Sequence, residues 1–158
     1  MSSDRFRSFE EFWPYYIGEH RDPRCRWVHF IGTAGFLTGM GLATVTAPIT
    51  FVPALGALST LAWAFFNMDA TRSAAPVLLL MIGIAIAGNP AVLGAVVFAY
   101  FWAWVGHFIF ENNRPATFTY PLWSLAGDLK MFGQMVRGRL WTGDGSEIAG
   151  PPAKAAAG

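Results

Sequence analysis

The chain holds three histidines, His20, His29 and His107, and the last is followed four residues on by Glu111. On a helix that spacing places an imidazole and a carboxylate on one face, about a turn apart. Both could then reach one metal ion. The pair sits at the close of a long apolar run, in Trp102-Ala103-Trp104-Val105-Gly106-His107-Phe108-Ile109-Phe110-Glu111, with Asn112-Asn113-Arg114-Pro115-Ala116 after it. Three imidazoles and a carboxylate suit a first-row metal, and an iron site built from two or three of the histidines, with or without Glu111, keeps positions open for dioxygen and substrate. The plainer reading is that histidines near a membrane interface only snorkel or hydrogen-bond, with Glu111 a helix-end residue paired to Arg114. Against it stands the cost of ionisable side chains within spans, where they tend to be functional.

Residues so far apart need a scaffold, and the charge distribution describes one. Hydrophobic residues make up 54% of the 158 and charged ones 13%, well below the roughly 25% charged share of soluble domains. Between Arg26 and Glu111 the only formally charged residues are Asp69 and Arg72, which leave two uncharged blocks, Trp27 to Met68 and Ser73 to Phe110. A membrane helix needs about 20 apolar residues, so each block is long enough to cross twice. The expected fold is an all-α integral membrane protein with four transmembrane helices in two hairpins, at about 27–46, 52–66, 74–87 and 91–110. Turns fall at Ala47–Pro53 and Gly88-Asn89-Pro90. Residues 1–140 form one membrane domain, and 141–158, rich in Gly, Ala, Pro and Ser, read as a disordered tail.

Amphipathic helices flank the spans. Ser8 and Glu11 fit a capping box, and Phe9, Phe12, Trp13, Tyr16 and Ile17 recur on one helical face, suggesting an anchor lying in the interface. Pro14 is expected to bend or end this helix, and Pro23 to break the chain before the first span. Gly35 and Gly39 form a small-xxx-small pair that permits close helix approach. After Pro115, Leu122, Leu125, Leu129, Phe132 and Val136 mark a second amphipathic helix.

Arg5, Arg7, Arg21, Arg24 and Arg26 precede the first span, Arg72 lies in the middle loop, and Arg114, Lys130, Arg137 and Arg139 follow the last. The intervening turns are uncharged, so both termini are expected to be cytoplasmic. An even number of crossings returns the chain to the face on which it started. His29 at the start of the first span, His107 near the end of the fourth and His20 just outside can therefore converge there, together with Glu111. The net charge of +1 gives no reason to propose a nucleic-acid partner. Cys25, the single cysteine, excludes an intrachain disulfide and is too isolated for a thiolate metal site. No cleavable signal peptide is expected, since the first apolar run starts only after about two dozen polar and aromatic residues.

Three motifs in order carry a resemblance: Phe12-Trp13-Pro14-Tyr15-Tyr16-Ile17-Gly18-Glu19-His20, then His29-Phe30-Ile31-Gly32-Thr33, then Gly106-His107-Phe108-Ile109-Phe110-Glu111 with Arg114-Pro115-Ala116. Together, over about Phe9 to Phe132, the chain resembles the 2-hydroxy-palmitic acid dioxygenase (MPO-one-like) family, formerly a membrane domain of unknown function. The resemblance implies a multi-pass membrane enzyme, in the inner membrane of a bacterium or the endoplasmic reticulum of a eukaryote. It would use Fe(II) and dioxygen to shorten 2-hydroxy fatty acids by one carbon. By motif, His20, His29 and His107 match the family's histidines, and Glu111 and Arg114 its polar residues after the last of them. Arg114 would be a bidentate partner for the substrate carboxylate.

Two other classes remain. A haem- or metal-binding membrane protein without lipid oxygenase activity would use His29 and His107 as axial ligands. A transport protein would use Asp69 and Arg72, although a solvated loop pair is the simpler reading of those two. Di-iron membrane desaturases need many more histidines than three.

Overall fold

A computed structural model describes residues 6, 8–49, 56, 83 and 89–150. The expected spans at 52–66 and 74–87, and Asp69 and Arg72 between them, lie outside the described residues. Every element within them is helical: α1 (Phe9–Gly18), α2 (Pro23–Thr46), α3 (Pro90–Val105) continuing into a π-helical segment (Gly106–Glu111), a 3-10 turn (Ala116–Phe118), α4 (Pro121–Val136) and a short α5 (Ser146–Ala149). Among the described residues two helices, Pro23–Thr46 and Ala91–Glu111, are long and apolar enough to cross a membrane.

α2 starts where the polar joint ends. Asp22 is extended and its carboxylate accepts from the Arg24 N–H, while Pro23 takes the first helical position, where its missing N–H costs nothing. Asn89 caps α3 in the same way, accepting from the Val92 N–H with Pro90 following. The two long helices pack antiparallel through small residues. A side chain at Gly32 would meet Trp102 and Ala99, one at Gly35 the Phe98 ring, and one at Gly39 would stand 2.7 Å from the Ala95 Cβ. Ala43, Val92 and Val96 close the far end as a small buried cluster. The Gly35–Gly39 pair is thus a packing device between these two helices, and the antiparallel arrangement puts the start of α2 beside the end of α3.

The first helix narrows one expectation and corrects another. It runs through Pro14 without ending. So near the N-terminus the proline removes a single intrahelical bond, and the apolar face of the helix is packed against the rest of the protein. Nor is that face an anchor left to lipid. Phe12, Trp13, Tyr16 and Ile17 are buried in a core shared with Ala116, Met131, Met135 and Leu140. Phe12 alone has the rings of Phe6, Tyr120 and Trp123 at 5.5 Å, aromatic contacts worth about 0.5–1.5 kcal/mol each beyond area burial. Lys130 of α4 caps the sheath with its ammonium 4.1 Å from the Trp13 ring centre. The apolar stripe of α1 is therefore spent on α4 and α5. Leu125, Leu129 and Val136 of α4 stay exposed.

Residues 141–150, within the stretch expected as a tail, are folded against the helices. α4 ends in a Schellman motif, with Gly138 at φ +80° donating to Met135 and Arg139 donating to Gln134. The chain then folds back instead of leaving. Trp141 donates its indole N–H to the Met135 carbonyl, and Trp13 donates its own to the carbonyl of Ile148 in α5. Composition points to disorder because Gly, Ala, Pro and Ser dominate from Thr142 onward, yet Gly143 and Gly145 adopt positive φ and make the turns that the fold-back requires.

Arg26 holds this region together. Its side chain is fully buried, and its guanidinium donates to five carbonyl oxygens, those of His20, Arg21, Leu140, Thr142 and Gly143. Leu140 is held at φ +63°, an uncommon conformation for a residue with a side chain. Its burial and its bond to Arg26 offset that strain. Arg26→Met leaves these acceptors buried without donors and is expected to destabilise the fold by about 3 kcal/mol or more. A lowered melting temperature and rapid proteolytic cleavage at 140–150 would register the loss, whereas unchanged protection would show that the C-terminal fold-back stands without the clamp.

Candidate metal centre

Four segments bring the histidines together. His20 follows α1, His29 lies in the second turn of α2, His107 is in the π-helical segment, and α4 packs against them from the side. Each ring is buried, His20 completely. Ring centres are 4.6 Å apart for His20 and His29, 4.6 Å for His20 and His107, and 5.1 Å for His29 and His107, with the planes steeply inclined. One ligand atom from each lies within 4.8 Å of the other two. This geometry could hold a metal ion. It fits a porphyrin poorly, because His20 stands 4.6 Å from both prospective axial ligands, where the macrocycle would have to pass.

The Nδ1 atoms are already engaged. That of His20 is 2.6 Å from the Tyr16 carbonyl, that of His29 is 2.7 Å from Asp128 Oδ1, and that of His107 is 2.7 Å from Asn113 Oδ1. A ring whose Nδ1–H donates to oxygen presents a lone pair at Nε2, the arrangement seen around metal-ligating imidazoles. The Nε2 atoms of His20 and His29 are buried and have no hydrogen-bond partner. Buried polar nitrogens without partners cost about 1–3 kcal/mol apiece, and a shared cation answers both at once. The residues present therefore fit a metal.

Local structure explains the aim of each ring. The π-helical segment begins at Gly106, where a side chain would press on Cys25 Sγ at 2.9 Å and on the His29 ring at 3.1 Å. Its wider winding closes on the fifth residue, so the His107 carbonyl accepts from Asn112 rather than from residue 111, and from Asn113 as well. Asn112 adopts a left-handed conformation, φ +54°, and the reversal carries Asn113 back over the His107 ring. The Asn113 amide then donates to the backbone carbonyl and the carboxylate of Glu19, tying His107 to the residue before His20. Tyr16 links the other two histidines. Its carbonyl holds His20, and its hydroxyl donates to the same Asp128 oxygen that holds His29, at 2.6 Å. A Cβ at Gly127 would lie 2.8 Å from the Tyr16 ring, so the lack of a side chain there lets α1 and α4 close up.

Glu111 and Arg114 are placed differently from the histidines. The i,i+4 relation of His107 and Glu111 assumed an α-helix, and the π-helical winding alters it. Glu111 accepts from the Asp22 N–H at 2.6 Å, bracing the joint between α1 and α2. It is not among the groups whose ligand atoms converge. Arg114 is exposed with its guanidinium over the Phe118 ring, 4.9 Å from the centroid. Sequence reasoning missed Asp128, Asn113, Tyr16 and Arg26 as site residues. A signal existed for Asp128, the single acidic residue of α4, set on the same face as apolar Phe132 one turn on. Asn113 had none, since its role depends on the left-handed residue before it.

Burial sets the electrostatics. It depresses the His20 imidazole well below its ordinary value, with His29 and His107 adding to the effect. Burial, then Asp128, pushes the Tyr16 phenol well up and keeps it a hydrogen-bond donor. Burial and the nearby Glu111 raise Glu19.

Two outcomes are expected of metal-free protein. Unfolded His20 takes up a proton near pH 6.5 while the folded one resists, so stability is intact above that pH. It falls as the pH drops below about 6.5 toward the folded value. Thermal melts across pH should show this slope, and His20→Gln should flatten it. Gly127→Ala should lower stability by about 1–3 kcal/mol through overpacking on Tyr16. Gly133→Ala, with open space around it, should be neutral or stabilising by up to about 1 kcal/mol. Equal melting temperatures for the two alanine variants would refute the close approach of α1 and α4.

No curated protein and no solved structure matches the chain. Residues 6–140 match the family described as 2-hydroxy-palmitic acid dioxygenase Mpo1-like. That match covers all three histidines, their three Nδ1 partners and Arg26, and the chain belongs to this family.

Proposed function

We propose that the chain is an Fe(II)-dependent dioxygenase of 2-hydroxy fatty acids, shortening them by one carbon. The observation that carries this reading is the pair of buried, unpartnered Nε2 atoms in a three-histidine cluster, in a chain whose family name denotes a 2-hydroxy fatty acid dioxygenase. His20, His29 and His107 would hold the ion through Nε2, with Tyr16, Asp128 and Asn113 fixing the rings. Bound Fe(II), with dioxygen as oxidant, supplies the oxidative cleavage of the bond between the carboxyl carbon and the 2-carbon.

The remaining roles fall to residues around the cluster. Glu111 positions Asp22 and hence the joint that carries His20. Arg114, exposed and next in the chain to Asn113, meets the substrate carboxylate with its planar guanidinium. Phe108 and Ile109, both exposed on the π-helical segment, give the acyl chain an apolar surface beside His107. The setting is a multi-pass membrane protein with four spans and both termini in the cytoplasm. It would sit in the inner membrane of a bacterium or the endoplasmic reticulum of a eukaryote, so that lipid substrate arrives from the bilayer.

Anaerobically purified wild-type protein is expected to contain about one iron per chain and to consume dioxygen when given a 2-hydroxy fatty acid. His107→Ala should lose most of its iron and all of that consumption. Arg114→Ala should keep its iron and show a raised KM. Wild-type protein that binds iron but leaves 2-hydroxy fatty acids untouched would retain the metal centre and remove the substrate.

A further inference from the structure

The three Nδ1 tethers are chemically unequal. His20 faces a backbone carbonyl, His107 a side-chain amide, and His29 a carboxylate. A carboxylate acceptor draws the Nδ1 proton and raises the donor strength of the opposite nitrogen. The oxygen that does so is shared, because Asp128 Oδ1 also accepts the Tyr16 hydroxyl at 2.6 Å. That phenol cannot turn away. Tyr16 is buried, its ring centre is 4.2 Å from that of His20, and the α4 backbone at Gly127 is pressed against its face.

We propose that Asp128 and Tyr16 are opposed positioning residues that set how strongly His29 binds the metal, the carboxylate strengthening the bond and the phenol moderating it. The inference rests on the metal centre proposed above. Asp128 orients the His29 ring and loads Nδ1 with negative charge. Tyr16, hydrogen-bonded to the same oxygen, disperses part of that charge. The same tyrosine holds His20 through its backbone carbonyl, so a side-chain substitution at 16 alters the tuning of His29 while leaving the His20 tether in place. His29 is thereby the strongest of the three donors.

Co(II) serves as the probe, titrated into purified metal-free full-length protein, with binding and the visible ligand-field bands recorded together. Asp128→Asn keeps an oxygen to accept both hydrogen bonds and removes only the charge. It is expected to weaken Co(II) binding by about 10- to 100-fold and to move the bands. Tyr16→Phe is expected to leave binding as tight as wild type or tighter, and to move the bands the opposite way. A melting curve of each metal-free variant checks the fold. If Asp128→Asn does not fold, the Co(II) affinity of a folded Tyr16→Phe decides alone: binding as tight as wild type or tighter supports the proposal, and weaker binding overturns it. Undiminished affinity in Asp128→Asn overturns the proposal, as does parallel weakening in both variants with bands unmoved, which is the signature of lost packing. Wild-type protein that takes up no Co(II) would overturn the metal centre itself and this inference with it.

Discussion

A guanidinium buried without access to water has to be met on every side by acceptors, and at Arg26 the acceptors are all backbone. Five carbonyls from two stretches more than a hundred residues apart converge on it. Because each stretch supplies main chain rather than side chain, the clamp fixes the path of the polypeptide directly. One stretch carries His20. The other keeps the C-terminal segment against α1, whose Tyr16 serves two of the three imidazoles. Without that cation the joint before α2 would lose its link to the C-terminal fold-back, and with it part of what holds His20 beside His29.

Outward from the clamp, the site is a lattice of tethers in which the backbone does as much as the side chains. The Tyr16 and Glu19 carbonyls, the Asp22 amide and the His107 carbonyl all take part. Such a lattice tolerates little rotation of any ring, which would suit three imidazoles that could hold one metal ion.

Much of the scaffold was legible. The uncharged blocks, Asp22-Pro23 and Asn89-Pro90 marked where the two described long helices begin, and Gly35 and Gly39 marked their contact. The convergence of His20, His29 and His107 followed from the expectation that the chain returns to its starting face. What stayed hidden depended on geometry without a sequence period. Pro14 reads as a residue that bends or ends a helix because propensity knows nothing of the core against which α1 continues past it. The fold-back after Gly138 reads as disorder because glycines at positive φ look the same as glycines in a flexible linker. Glu111 was aligned with His107 by assuming α-helical winding, which the π-helical segment replaces. Asp128 was passed over because attention to α4 followed its apolar residues.

The carbonyls of residues 140–143 and the carboxylate at 128 have a bearing on biogenesis. Translation places His20 and His29 in the nascent chain about a hundred residues before the groups that orient His29 and lock the joint. The two long apolar helices are already synthesised by then. Assembly of the cluster thus waits on residues made after both helices, and a product cut short before residue 128 would carry every imidazole yet lack the carboxylate that aligns one of them.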